Sequence, residues 1–208
     1  LDSANLTNAN LREALLVDAK LSNAILIGAD LSGAILTGTI LTGADLENAV
    51  LTNTILNCVF HPICTPTGAE LSGKDLAGTN LVGADLSGMN LTGTILTGAD
   101  LSNSILTSSD LSGKDLTGTI FTGADLSGVN LANAILVNVN LENATLEGVK
   151  LLDADLDSAN LTNANLREAL LVDANLSNAA LTEADLSYAV LTGAVLTNAN
   201  VENTIITN

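Results

Sequence analysis

The chain has no tryptophan, one tyrosine and two phenylalanines among 208 residues, yet almost half of it (47%) is apolar. Ordinary globular cores draw much of their buried area from aromatic rings. That kind of core is excluded, and burial has to come from Leu, Ile, Ala and Val in small steps. Positive charge is equally scarce: six Lys and Arg stand against 23 Asp and Glu, a net charge of −17. Nucleic-acid backbones and anionic lipids are met with Lys and Arg, so the composition argues against direct nucleic-acid binding and against an acidic membrane surface. No apolar run reaches the roughly 20 residues of a membrane-spanning helix, and none is expected to insert. No signal-peptide pattern is visible, and the chain opens on Leu1 rather than Met, so an earlier removal of a targeting segment would leave no trace. Two prolines, two cysteines and one histidine complete the scarcities, and all fall within 57–70.

What remains keeps a beat of five. In LSGKDLTGTIFTGADLSGVN, from Leu111 to Asn130, a large apolar residue opens every pentapeptide: Leu111, Leu116, Phe121, Leu126. Helices repeat near 3.6 and strands at 2, so neither puts every fifth residue on one face. Calling this position i, Ala dominates i−2, as at Ala4, Ala9, Ala164 and Ala169. Every glycine of the protein lies at i+2, with Asn filling many of the other i+2 places. Gly and Asn tolerate positive φ, which the third residue of a type II turn demands. The chain is therefore expected to bend once per pentapeptide, with Leu at i and Ala at i−2 pointing inward. Four such bends close a square coil, so that one coil is four pentapeptides.

The acidic residues test that count. Asp recurs at the outward position i−1, at Asp75, Asp85, Asp100, Asp110, Asp115, Asp125, Asp155 and Asp185, and no two of these are 20 apart. Stacked coils would place residues 20 apart about 4.8 Å from one another, where like charges are destabilising. One column would read Asp75, Ile95, Asp115, Ile135, Asp155, with charge and Ile alternating.

The pattern A-(D/N)-L-x-x, present as ANLTN at 159–163 and ADLSG at 124–128, resembles the pentapeptide repeat family as found abundantly in cyanobacteria. The resemblance implies an all-β fold, a right-handed quadrilateral parallel β-helix with four pentapeptides per coil, running as one domain over 1–208. It also implies a non-enzymatic structural or protein-interaction scaffold. The family's gyrase-protecting members imply an alternative, an acidic DNA mimic that binds DNA gyrase or another topoisomerase. Those members dimerise through bulky C-terminal segments, whereas the tail here offers only Val201, Ile205 and Ile206. A monomer, or weak end-to-end association through uncovered coil edges, is expected instead, with a protein partner that the sequence does not identify.

The one long departure, NCVFHPICTPTGAE at 57–70, reads as a loop protruding from one corner, since proline cannot sit in a stacked ladder without loss. Phe60, His61 and Ile63 are its candidate contact residues. Cys58, Cys64 and His61 supply three candidate ligands where zinc usually takes four, and no base and oxyanion donors accompany the thiols. Neither a metal, a cofactor nor a catalytic site is expected. Cys58 and Cys64 form a disulfide or stay as two free thiols. The first implies a periplasm or thylakoid lumen, and the second a cytoplasmic protein.

Lys74 and Lys114 stand at inward i−2 positions, 40 apart, each in the string SGKD. Their heads are expected to escape to solvent beside Asp75 and Asp115, and Met89, also at i−2, to fill a gap. Outside the loop, the residue types that favour binding hot spots reduce to Arg12, Arg167 and Tyr188. Two internal copies bear on threading. Asp2 to Ala24 recurs at Asp157 to Ala179 with only Lys20 replaced, by Asn175, and LTGTILTGAD recurs from 36–45 at 91–100. If copies share a side of the coil, three pentapeptides' worth of chain near 57–71 adds no winding. A simpler version loops out only two, 61–70.

Overall fold

The computed structural model describes residues 1–41, 43–46, 49–51, 54–56 and 71–207, and one local unit recurs throughout them. The amide of i+3 donates to the carbonyl of i, as from Ala4 to Leu1 and from Ala164 to Leu161, both at 3.0 Å. The third residue of each turn lies in the left-handed region: sixteen glycines have φ between 63° and 74°, and twenty other residues, half of them Asn, have φ between 54° and 65°. Glycine is favoured there for that backbone conformation and not for want of space: a Cβ on Gly113 or Gly148 would meet nothing within 4 Å, while their φ is +63°.

Between corners the chain is extended for so short a distance that each side pairs through a single residue, i−1. Parallel bridges join Asn5 to Ile25, Ile25 to Asp45 and Asp155 to Asn175, in each case to the fourth pentapeptide on. Four pentapeptides make one coil. Around each side the amides of i and i+2 donate to the following coil (Leu131 to Lys150 O, 2.7 Å; Asn133 to Leu152 O, 2.8 Å). The amide of i−1 donates to the preceding one (Ile135 to Lys114 O, 2.8 Å). No Asp bridges another Asp among the described residues, and Asp115, Ile135 and Asp155 form the expected alternating column.

Leu at i and Ala at i−2 fill the interior, and Phe121 is wholly enclosed in place of a Leu. Each buried Leu contributes roughly 1.5–3 kcal/mol relative to exposure. Thr also enters i−2 without leaving a polar group stranded. Its hydroxyl donates to the carbonyl of an i residue on the preceding coil, Thr39 to Leu16 at 2.7 Å and Thr119 to Leu96 at 2.9 Å. Among the described residues no buried side-chain nitrogen or oxygen lacks a partner.

The threading differs from both versions that the copies suggested. Ile55 bridges Asn80, five pentapeptides on in place of four, and the Leu56 amide donates to Asn80 O at 2.7 Å. The Thr79 hydroxyl reaches Leu51 O, 28 residues back, where the same bond from Thr54 to Leu31 spans 23. One coil thus carries one extra pentapeptide. Looping out three or two would instead have stacked Asn80 on Asp45 or on Val50. The physical reason is that all four sides are built from the same unit. An insertion in whole pentapeptides preserves every inward and outward position, so nothing forces a copy onto its original side. Asn5 and its copy Asn160 consequently lie on opposite sides. An internal void of about 20 Å³, lined by leucines that include Leu46, Leu51, Leu71 and Leu76, marks the longer coil. Its volume would admit about one water. The two hydroxyls in its wall, on Thr54 and Thr79, are already bonded to carbonyls, so the lining is apolar in effect. The expected loop at 57–70 lies outside the described residues, as does any test of its protrusion.

Leu131 is completely buried, so Leu131→Asp should cost several kcal/mol or abolish folding. The neighbouring outward change Asn130→Asp sets a carboxylate beside Asp110 and should cost only about 0.2–1 kcal/mol. Thermal melts followed by circular dichroism compare the two. Equal melting temperatures would overturn the assignment of inward and outward positions.

Candidate interaction surfaces

The outward Asp and Asn side chains do more than keep like charges apart. Asp30 Oδ1 accepts the Ser32 amide (3.0 Å) and the Ser32 hydroxyl (2.5 Å). The same pair of bonds recurs at Asp100 with Ser102 and at Asp185 with Ser187. Each is an Asx turn that satisfies the i+1 amide at the corner. The triplet D-L-S was the signal for it, and reading Asp only as a spaced surface charge overlooks it. These bonds stabilise the carboxylate form. The Ser32 hydroxyl and then its amide hold the Asp30 carboxyl below the usual range. The Ser187 hydroxyl and amide do the same for Asp185, helped by Arg167. For Asp110 the Ser112 amide leads, and for Asp115 the Thr117 side chain.

The three candidate hot-spot residues are distributed unequally. Arg167 pairs with Asp185 at 3.3 Å, and its guanidinium lies 5.5 Å from the centroid of the Tyr188 ring. Tyr188 is 54% exposed and holds φ +61°. A bulky residue in that region is unusual and strained. In the first copy Arg12 pairs with Asp30 at 3.1 Å, but Gly33 occupies the place of Tyr188. One corner therefore combines Arg, Tyr and Asp.

A second feature interrupts the ladder itself. Lys114 occupies an inward position, and its Nζ donates to Thr94 O at 3.2 Å. That carbonyl would otherwise accept the Asp115 amide, by the rule that Ile95 and Ile135 follow. Around it the coils part. Among the described residues, the amides of Leu91, Gly93 and Leu96 do not donate upward to Asp110, Ser112 and Asp115, and those of Asp110 and Asp115 do not donate downward to Met89 and Thr94. Regular bonds resume on both flanks, from Gly88 to Thr107 O and from Gly98 to Thr117 O, both at 3.0 Å. An open groove of about 340 Å³ lies at this seam, lined by Gly93, Thr94, Ile95, Ser112, Gly113, Lys114 and Asp115. Lys114 is half-buried, its head in this open groove beside Asp115, where it takes the acceptor that a ladder amide gives up. Lys74, at the equivalent position two coils earlier, is buried. Met89 is half-buried against the core.

Cys58, Phe60, His61, Ile63 and Cys64 lie outside the described residues. Among the described ones, no three His, Cys, Asp or Glu side chains gather as a metal site, and no helix is long and apolar enough to cross a membrane.

Carboxyls whose pKa is lowered by folding contribute stability above their unfolded value, and lose it as pH falls through the folded one. Melting temperature should therefore drop as pH falls from about 4. Ser187→Ala should weaken that acid dependence while lowering stability near neutrality. A variant with an unchanged acid profile would show that the Ser187 hydroxyl carries none of it.

A family model described as pentapeptide repeats matches in eight copies, over 1–59 and 67–208. HetL, a pentapeptide repeat protein involved in heterocyst differentiation regulation in the cyanobacterium Nostoc sp. strain PCC 7120, is 36% identical over 98% of this chain and 83% of its own, with a TM-score of 0.37. Rfr23 from the cyanobacterium Cyanothece 51142 is 29% identical over 63% of this chain and 90% of its own, TM-score 0.46. QnrB1, a plasmid-mediated fluoroquinolone resistance protein, is 17% identical over 95% of this chain and 91% of its own, TM-score 0.50, and speaks for the fold alone. No curated protein matches. With its phased Leu, left-handed corners and coils of four pentapeptides, this right-handed quadrilateral β-helix belongs to the pentapeptide repeat family.

Proposed function

We propose that the chain is a non-enzymatic scaffold that binds a protein partner through the corner formed by Arg167, Asp185 and Tyr188. The observation that carries this reading is the exposed Tyr188 ring, held under Arg167 in a strained backbone conformation. Tyr and Arg dominate interface hot spots, and strain is kept where surrounding structure or function demands it. The family supports the scaffold reading in general. Apart from scattered Arg, Lys and Glu, the rest of the described surface is short polar and aliphatic side chains at regular spacing, without a constellation of acid, base and nucleophile.

Tyr188→Gly tests this without endangering the fold, because glycine suits the left-handed conformation that Tyr188 holds and removes only the ring. Immobilised protein should capture a partner from native extract, and the variant should bind that partner at least about tenfold more weakly, with an unchanged or higher melting temperature. Equal binding by Tyr188→Gly and Arg167→Ala would move the site elsewhere.

The charge supports a second reading, the DNA mimic. A charge of −17 over a rod of roughly 45–50 Å is one per roughly 3 Å, against one per about 1.7 Å in DNA. The alternating column weakens the likeness, since its carboxylates recur only every second coil and are engaged with their own turns. A supercoiling assay decides: protection or inhibition of gyrase at micromolar protein would favour the mimic, and an unchanged reaction would discard it.

A further inference from the structure

The parted seam at Lys114 is independent of the Tyr188 corner and has a chemistry of its own. Lys114 is half-buried at the floor of an open groove. Burial pushes its amine below the ordinary lysine range, and the Asp110 charge opposes only part of that. Asp115 lines the same groove, and Lys74 lies two coils away in the same column. The neutral amine is the nucleophilic form, so an open approach and a disfavoured ammonium coincide at one nitrogen.

The surroundings also suit the product of a reaction there. An acylated Lys114 keeps one N–H, which can still donate to Thr94 O, now 3.2 Å from Nζ. A short acyl group brings a carbonyl oxygen, and the parted ladder leaves the Gly93 and Asp115 amides without their usual acceptors. The half-exposed Ile95 side chain offers apolar contact to a methyl group. A carboxylate or phosphate ligand would be less well served, because Asp110 and Asp115 stand beside the groove on a strongly acidic rod.

We propose that Lys114 is a covalent modification site that accepts a short acyl group from an acyl thioester. The Nζ lone pair attacks the thioester carbonyl carbon and the C–N bond forms. The C–S bond breaks, the sulfur leaves with the bonding pair, and the proton shed by nitrogen passes to the thiolate or to water, giving an amide and a free thiol. No oxidant or reductant takes part. Modification removes one positive charge and leaves the contact with Thr94 in place, so the seam stays parted but becomes uncharged.

The test uses the uncharged thioester S-acetyl-N-acetylcysteamine with the folded chain near neutral pH, and mass spectrometry of peptides to follow Lys20, Lys74, Lys114 and Lys150 separately. Lys114 should gain acetyl several-fold faster than the exposed Lys20 and Lys150, and the preference should vanish when the chain is unfolded in urea. Equal or faster labelling of Lys20 or Lys150 in the folded chain overturns the proposal. A preference for Lys114 that survives in urea also overturns it, because the selectivity would then belong to local sequence and not to the seam.

Discussion

Everything in this rod depends on one residue in five taking a left-handed backbone conformation at a hydrogen-bonded corner. That single requirement sets the bend, and the bend sets the five-residue period. The period then decides that i and i−2 face inward while i−1 and i+1 face out. Glycine meets the requirement without cost and Asn with little, which explains their concentration at i+2. Glu13, Glu168 and Tyr188 meet it against preference, held by the ladder bonds of the neighbouring coils. Stability is accordingly shared between neighbouring coils, as in other solenoids, and no single coil could hold its corners alone.

The same geometry explains what the interior tolerates. Ala fits i−2 because the coils stack at sheet spacing and leave little room there. Thr fits because a carbonyl oxygen of the preceding coil has a lone pair to spare. Lys114 sits where the coils part, and its Nζ takes the acceptor that a main-chain amide gives up. The contrast is one of volume first and charge second: Val129, Val139 and Val149 occupy i−2 in fully bonded coils.

Outside, the acidic residues combine two functions. Each engaged Asp closes a corner through its Asx turn, and each is separated from the next in its column by an uncharged or basic residue. A net charge of −17 is thereby spread along the rod with no i−1 carboxylate stacked on another among the described residues, although Asp153 and Asp173 share an i+2 column. On such a surface the Arg167–Tyr188 corner is, among the described residues, the place where a cation and a large ring meet, and the proposed partner contact is put there for that reason.

The sequence by itself determined the fold, because the phasing of Leu, Ala and Gly admits one backbone, and the absence of i−1 Asp pairs 20 apart already contained the size of the coil. It also determined the acidic, aromatic-poor surface and named Arg167, Tyr188 and Lys114 as unusual. Only the tertiary structure decided how these act. Arg167 and Tyr188 are 21 positions apart and meet because one coil lies on the next. Lys114 finds Thr94 for the same reason. The extra pentapeptide between Ile55 and Asn80 was undecidable from the repeat, since a unit that fits all four sides equally carries no mark of the side it occupies.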